Sequence, residues 1–175
     1  QFEWGARDYD HELPIRQVPL FLQKIARDLV GLGLSRTGPP QEEYQFVSDA
    51  AIINFYRAGD TLGGHLDNTE PDLSHPIVSL SLGCACIFLL GGPSRDDEPL
   101  ALLLRSGDAI LMSGDCRKCY HAVPRVFTDE DGDSYLYSRD PYLNRYLDSD
   151  DEAWITCREY MKGARINVNC RHVGS

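Results

Sequence analysis

The spacing of apolar positions changes character once along this chain. Leu22, Ile25, Ala26 and Leu29 recur at helical intervals behind Val18-Pro19, with the proline in the first turn, where its missing N–H is not needed. Gly31 to Gly33 is expected to stop that helix, and 35–41, with Gly38-Pro39-Pro40, reads as a loop. Beyond it the apolar runs shorten and become β-like. Strands are predicted over 50–56, 77–82, 84–90, 100–104, 109–112, 120–126 and 165–173. Gly59-Asp60 and Gly63-Gly64 are expected turns on either side of Thr61-Leu62. Gly91 to Glu98 is a polar turn and Ser106-Gly107-Asp108 a tight one. A short helix over 152–162 is predicted, capped by 149–151 and ended by Gly163, while 1–12 has no period and reads as loop or edge strand. Many short strands with regular turns and few helices predict a mainly β (α+β) domain, a sandwich or barrel of jelly-roll type.

The 175 residues amount to one domain, large enough to bury a core without metal or disulfide staples. The longest apolar run, Cys84 to Leu90, is far too short to span a bilayer, so no membrane partner is expected. No secretory signal opens the chain, which starts at Gln1 rather than Met and so reads as trimmed. The expected location is intracellular, with no choice among nucleus, cytoplasm and mitochondrion.

Net charge of −10 argues against nonspecific wrapping of nucleic acid, which needs a basic surface. The acid is unevenly placed: 129–152 holds nine carboxylates and two arginines, whereas Arg117, Lys118 and Arg125 cluster about His121. Six cysteines, at 84, 86, 116, 119, 157 and 170, read mainly as reduced thiols. The pairs Cys84-x-Cys86 and Cys116-x-x-Cys119 sit in apolar, strand-like sequence, with a structural zinc site as the minor reading.

The most informative residues are His65-Leu66-Asp67, with His121 54 positions after Asp67. Two imidazoles and one carboxylate can hold one face of Fe(II) and leave three positions open. On a strand, residues i and i+2 share a side, which would bring His65 and Asp67 to one ion. Such a pair is common by chance, so its surroundings matter. The last predicted strand places Arg165, Asn167, Asn169 and Arg171 on one face and Ile166, Val168 and Cys170 on the other. A buried Arg-Asn-Asn-Arg face is costly unless it binds something; the plainer reading is a solvated polar face. Asn54 and Tyr56 share a side of their strand, with a core aromatic the plainer reading of Tyr56.

The order Asn-x-Tyr, His-x-Asp, His, then Arg-x-Asn-x-x-x-Arg resembles the AlkB family of Fe(II)/2-oxoglutarate dioxygenases. Thr61 to His65, Ser79, Phe88 to Gly92, Ser106 to Asp108 and His121 to Arg125 look most like its first eukaryotic homologue, over about 54–173. The resemblance implies a double-stranded β-helix dioxygenase core using Fe(2+), 2-oxoglutarate and O2. His65, Asp67 and His121 would be the metal and catalytic set. Asn54, Tyr56, Arg165, Asn167 and Arg171 would bind 2-oxoglutarate, with Arg165 on its far carboxylate and Arg171 near its iron-chelating end. The implied function is oxidative demethylation of N-methylated bases, N6-methyladenine in DNA or 1-methyladenosine in tRNA, with release of formaldehyde. Methylated DNA or tRNA is the implied partner.

On that view 1–45 is an N-terminal lid and helical support, and 46–175 is the core with an acidic insertion at about 128–151. Thr69 stands where the bacterial pattern has an acidic residue near the target base. Trp4 and Tyr9 are candidate lid aromatics, for which a packed role is equally open. Arg57, Arg117, Lys118 and Arg125 are candidate phosphate contacts, each with a solvated surface charge as the plainer reading. His11, His75 and His172 match no ligand position and read as surface or supporting residues. The rival functions are 2-oxoglutarate-dependent hydroxylation of a protein or small molecule, which the acidic charge favours, and a non-catalytic methyl-base binding module. A zinc-stabilised interaction domain stands last.

Overall fold

The computed structural model describes residues 2–3, 8–9, 17–37, 46–57, 59–127 and 150–174. A short antiparallel pair, β1 (Phe2–Glu3) and β2 (Asp8–Tyr9), precedes helix α1 (Leu20–Thr37). Eight strands follow: β3 (Ala50–Arg57), β4 (Leu62–His65), β5 (Ile77–Gly83), β6 (Cys86–Leu90), β7 (Leu100–Leu104), β8 (Ala109–Met112), β9 (His121–Val126) and β10 (Ala164–Arg171). Helix α2 (Glu152–Lys162) leads into β10. The strands form two four-stranded antiparallel sheets, ordered β3-β10-β5-β8 and β4-β9-β6-β7. Two such sheets closing on one another make the predicted jelly roll.

Two apolar cores lie on opposite sides of the first sheet. Between the sheets, Tyr56, Ile77, Cys86, Phe88, Leu104, Met112 and Val123 pack together. On the outer side Val18, Leu22, Ala26 and Val30 of the α1 segment pack on Val78, Val168 and Cys170. Strand β10 therefore divides by parity. Val168 and Cys170 face α1, while Arg165, Asn167, Asn169 and Arg171 line a cavity between the sheets. The expected face split of this strand is realised, and its polar face is turned inward rather than to solvent.

Several local expectations are corrected. Helix α1 does not stop at Gly31–Gly33 but runs to Thr37. Gly33 serves packing instead: a Cβ there would collide with the Leu111 side chain on β8. Ile25, expected on the buried face, is 42% exposed, and Val30 takes the place in the core. Gly63-Gly64 is not a turn but the middle of β4, which pairs with β9 across an irregular register. The strand expected from Cys84 starts at Cys86, because Gly83 just before it takes a positive φ of 76°, where a side chain would meet the Ala164 carbonyl. Cys116 lies not in a strand but in a 3-10 helix, Gly114–Lys118, and is exposed. Helix α2 matches its expectation, with the Asp151 side chain accepting from Trp154 N at 2.9 Å. Trp4, His11 and 128–149, the bulk of the acidic insertion, lie outside the described residues. No helix among the described residues is long and apolar enough to cross a membrane.

Candidate active site

The end of β4, the start of β9 and the segment after β4 converge at one end of the cavity. His65 is the last residue of β4 and pairs with His121, the first of β9, so the register of two strands sets the imidazoles side by side. Their ring centroids are 4.2 Å apart. Asp67 lies in the irregular segment beyond β4, not on the strand that simple i, i+2 reasoning assumed. Its Oδ1 is 3.7 Å from His65 Nε2 and its Oδ2 3.6 Å from His121 Nε2.

The outer nitrogens of both rings face backbone carbonyls. His65 Nδ1 is 2.9 Å from Gly63 O and His121 Nδ1 3.3 Å from Cys119 O. A carbonyl can only accept, so each Nδ1 carries a proton, which leaves each Nε2 as the atom that would give a lone pair to a metal at the shared centre. Burial, reinforced by His121, pushes the His65 pKa down and favours its neutral form. Burial alone would raise the Asp67 carboxyl, but His121 and the Arg171 guanidinium outweigh it and hold it well below the usual carboxylate range. One ligand atom from each of the three residues falls within 4.8 Å of the others. Among the described residues this is the group of His, Cys, Asp and Glu placed to hold a metal. Two imidazole nitrogens with one carboxylate suit Fe(II) with open positions. The six cysteines are free thiols.

The cavity, about 430 Å³, runs from this cluster along the polar face of β10. Asn54 and Tyr56 face it from β3, paired with Asn167 and Arg165, and Ser79 faces it from β5, paired with Asn169; Ser81 pairs with Asn167. Asn167 Nδ2 donates to Ser79 Oγ at 2.7 Å. Arg165 is 1% exposed, and its Nη2 donates to Ser81 Oγ at 3.1 Å. Its Nε and Nη1 are buried with no hydrogen-bond partner among the described residues. A buried guanidinium with orphaned donors is costly unless an anion completes it. A ligand carboxylate accepting from this guanidinium fits that need. The Arg165 guanidinium carbon stands 5.1 Å from the centroid of the Tyr56 ring, and burial raises the Tyr56 pKa, keeping the phenol a donor.

The remaining candidates separate clearly. Thr69 lines the cavity. Arg57, Lys118 and Arg125 are exposed and line none of it, with the Arg125 guanidinium 4.9 Å from the Phe127 ring centroid. Arg117 is a correction: it is 3% exposed and cannot meet phosphate, because its guanidinium is committed to Glu70, Asp67 O and His75 O. Tyr9 is placed in β2. His75 and His172, half-buried, meet edge to face with ring centroids 4.3 Å apart.

Sequence reasoning missed Arg95 and Tyr120, which both line the cavity, the guanidinium 5.0 Å from the ring centroid. The Gly91–Glu98 turn that carries Arg95 is fastened to Tyr120, the residue just before β9. Gly91 N donates to Tyr120 O at 2.8 Å and Tyr120 N to Gly92 O at 2.9 Å. Their adjacency to Gly91-Gly92 and His121 was the available signal. Glu70 was also missed; three residues past Asp67, its burial was not readable from its type.

Comparisons with known proteins agree with this geometry. Residues 1–171 match the model of the 2OG-Fe(II) oxygenase superfamily. The chain is 43% identical to the Arabidopsis thaliana DNA N(6)-methyladenine demethylase ALKBH1A over 173 residues, 99% of this chain and 46% of that protein. It is 32% identical to the tRNA demethylase abh1 of Schizosaccharomyces pombe, covering 99% of this chain and 50% of that one. The chain thus spans about half the length of the curated relatives it matches. A solved structure, that of OsALKBH1, shares the fold with a TM-score of 0.64 at 24% identity, over 89% of this chain and 66% of the other. The family's cofactors are Fe(II) and 2-oxoglutarate, and the donor set and orphaned guanidinium fit both. The chain belongs to the 2OG-Fe(II) oxygenase superfamily, among its AlkB-type members.

Proposed function

We propose that this chain is the oxygenase core of an enzyme that oxidatively removes N-methyl groups from nucleic-acid bases. In this reading His65, Asp67 and His121 hold Fe(II), and Arg165 takes the far carboxylate of 2-oxoglutarate. The observation that carries it is one cavity with a metal-holding triad at one end and a buried arginine with unused donors on the same wall. The iron and 2-oxoglutarate, when bound, supply oxidation of the methyl carbon by O2, with succinate, carbon dioxide and formaldehyde as products.

The protein's part is positioning and exclusion of water. Nδ1 protons held by Gly63 O and Cys119 O keep both imidazoles in the tautomer that offers Nε2. Asn54, Tyr56 and Asn167 offer neutral polar groups along the wall, so that a dicarboxylate meets one full positive charge at Arg165. Arg171, which bonds Asp67 and Glu70 and also lines the cavity, stands beside the metal ligands, where the iron-chelating end of 2-oxoglutarate would lie. A base in a duplex must leave its stack to enter such a cavity. Arg95 and Tyr120 at the mouth offer a cation and an aromatic face to it, and Thr69 a neutral hydroxyl. Demethylase names among the relatives, one for DNA and one for tRNA, support a nucleic-acid substrate.

The test is aerobic turnover of Fe(II)-reconstituted protein with 2-oxoglutarate. Substrates are N6-methyladenine DNA in duplex, bulged and single-stranded form, and 1-methyladenosine tRNA, with bases read by mass spectrometry. Methyl loss that needs 2-oxoglutarate and disappears in His65→Ala is the expected result. Succinate formation with every methylated base intact would redirect the reading to protein or small-molecule hydroxylation. Iron binding without succinate would leave a binding module.

A further inference from the structure

We infer that Glu70 and Arg117 are positioning residues for the metal site, acting through Asp67; this rests on the reading of His65, Asp67 and His121 as metal ligands. Four charges, three of them buried and that of Asp67 partly so, form a closed chain. Glu70 accepts from Arg171 Nη1 at 2.6 Å through Oε1 and from Arg117 Nη2 at 2.8 Å through Oε2. Arg171 Nη2 reaches Asp67 Oδ2 at 2.7 Å, and Arg117 Nη1 donates to the Asp67 carbonyl. Arg117 Nε donates to His75 O at 3.2 Å. The side chains of Glu70 and Arg117 are 1% and 2% exposed.

Two carboxylates balance two guanidinium groups, so the cluster is neutral as a unit but not divisible. Buried ion pairs of this kind are weak contributors to net stability, since well-packed apolar groups often do as well. What this cluster achieves is directional. Asp67 sits on an irregular segment with no strand ladder to fix it. The cluster grips it twice: Arg171 holds the carboxylate, and Arg117 holds the backbone that bears it. Glu70 sets both arginines at once. Arg117 also belongs to the 3-10 helix just before β9, whose first residue is His121. One network therefore joins the supports of two ligands, Asp67 and His121, to the strand carrying Arg165. Partners one step removed from a metal are worth about 10–100-fold in metal affinity when lost.

Co(II) titration of the metal-free protein, followed by its visible absorption, tests this without turnover. Glu70→Gln keeps shape but leaves the arginines undercompensated. Arg117→Lys keeps charge but cannot serve three acceptors at once, and is the variant to read if Glu70→Gln does not fold. Each folded variant, checked by cooperative urea unfolding, is expected to bind Co(II) about 10-fold or more weakly, with an altered visible band at saturation. Affinity and spectrum within twofold of wild type in a folded variant would overturn the inference. His65→Ala separates the two claims. If it binds Co(II) as wild type does, the ligand assignment itself fails and the inference falls with it. If it loses binding while Glu70→Gln and Arg117→Lys retain it, the positioning role alone fails.

Discussion

Arg165 reaches Ser81 Oγ at 3.1 Å with one nitrogen, while its Nε and Nη1 are buried without partners among the described residues. A guanidinium left in that state costs the metal-free, ligand-free protein stability and gives it a ready anion site. Arg165→Met should therefore leave the metal-free fold as stable as wild type or more stable, by about 1 kcal/mol. Removing one partner of a buried charge pair costs about 2–5 kcal/mol, so the same variant should weaken 2-oxoglutarate binding at least about 30-fold. Thermal unfolding and calorimetric titration check the two halves separately. A variant that unfolds early and still binds 2-oxoglutarate would reverse the assignment.

Asp67 gives the metal-free protein an acid-sensitive element. Its native pKa lies well below the reference value of 3.8, because His121 and Arg171 outweigh its burial. The stabilisation linked to that depression is complete above the unfolded value and is lost as pH falls through the native one. Urea midpoints of chelated protein should thus drop below about pH 4, and Asp67→Asn should flatten that part of the curve. An unchanged slope in Asp67→Asn would place the acid sensitivity elsewhere.

Metal removal should leave the fold in place. Both apolar cores are built without the triad, one between the sheets and one beneath α1. Chelated protein is expected to melt in one cooperative transition. Added Mn(II) should then raise stability by mass action, about 2.7 kcal/mol at one hundred times its dissociation constant. Loss of near-ultraviolet dichroism on chelation would show that the metal is structural instead.

Arg95 at the cavity mouth should matter to the nucleic acid and not to the iron. Arg95→Ala is expected to raise the substrate KM and to reduce the salt dependence of nucleic-acid binding by about one ion. Succinate formed without methylated substrate should stay unchanged. Equivalent variants at Arg57 and Arg125, which line none of the cavity, should move these readouts less.

Much of this architecture was legible in the chain. Strands 100–104 and 109–112 and helix 152–162 fall where alternation, turn glycines and an aspartate cap predict them. The parity of β10 was readable because period-two alternation of arginine and asparagine with apolar residues has one geometric meaning. Helix α1 outran its glycines because tertiary packing against Leu111 outweighs the local preference to stop. Arg117 and Glu70 escaped for a different reason. Charged residues are usually exposed, and only the fold shows that these two face each other. Arg95 and Tyr120 come together through a turn and a strand start far apart in sequence, a pairing that no local pattern encodes.

One cavity is expected to hold a metal at the His65, Asp67 and His121 end and a dicarboxylate along the wall that carries Arg165. Anaerobic crystallisation with Mn(II) and 2-oxoglutarate, with the metal located by anomalous scattering, tests it most directly. The predicted result is one ion bound by His65 Nε2, Asp67 and His121 Nε2, with the far carboxylate of 2-oxoglutarate on the Arg165 guanidinium. An ion at the cysteines, or a carboxylate that leaves Arg165 unpartnered, would contradict it.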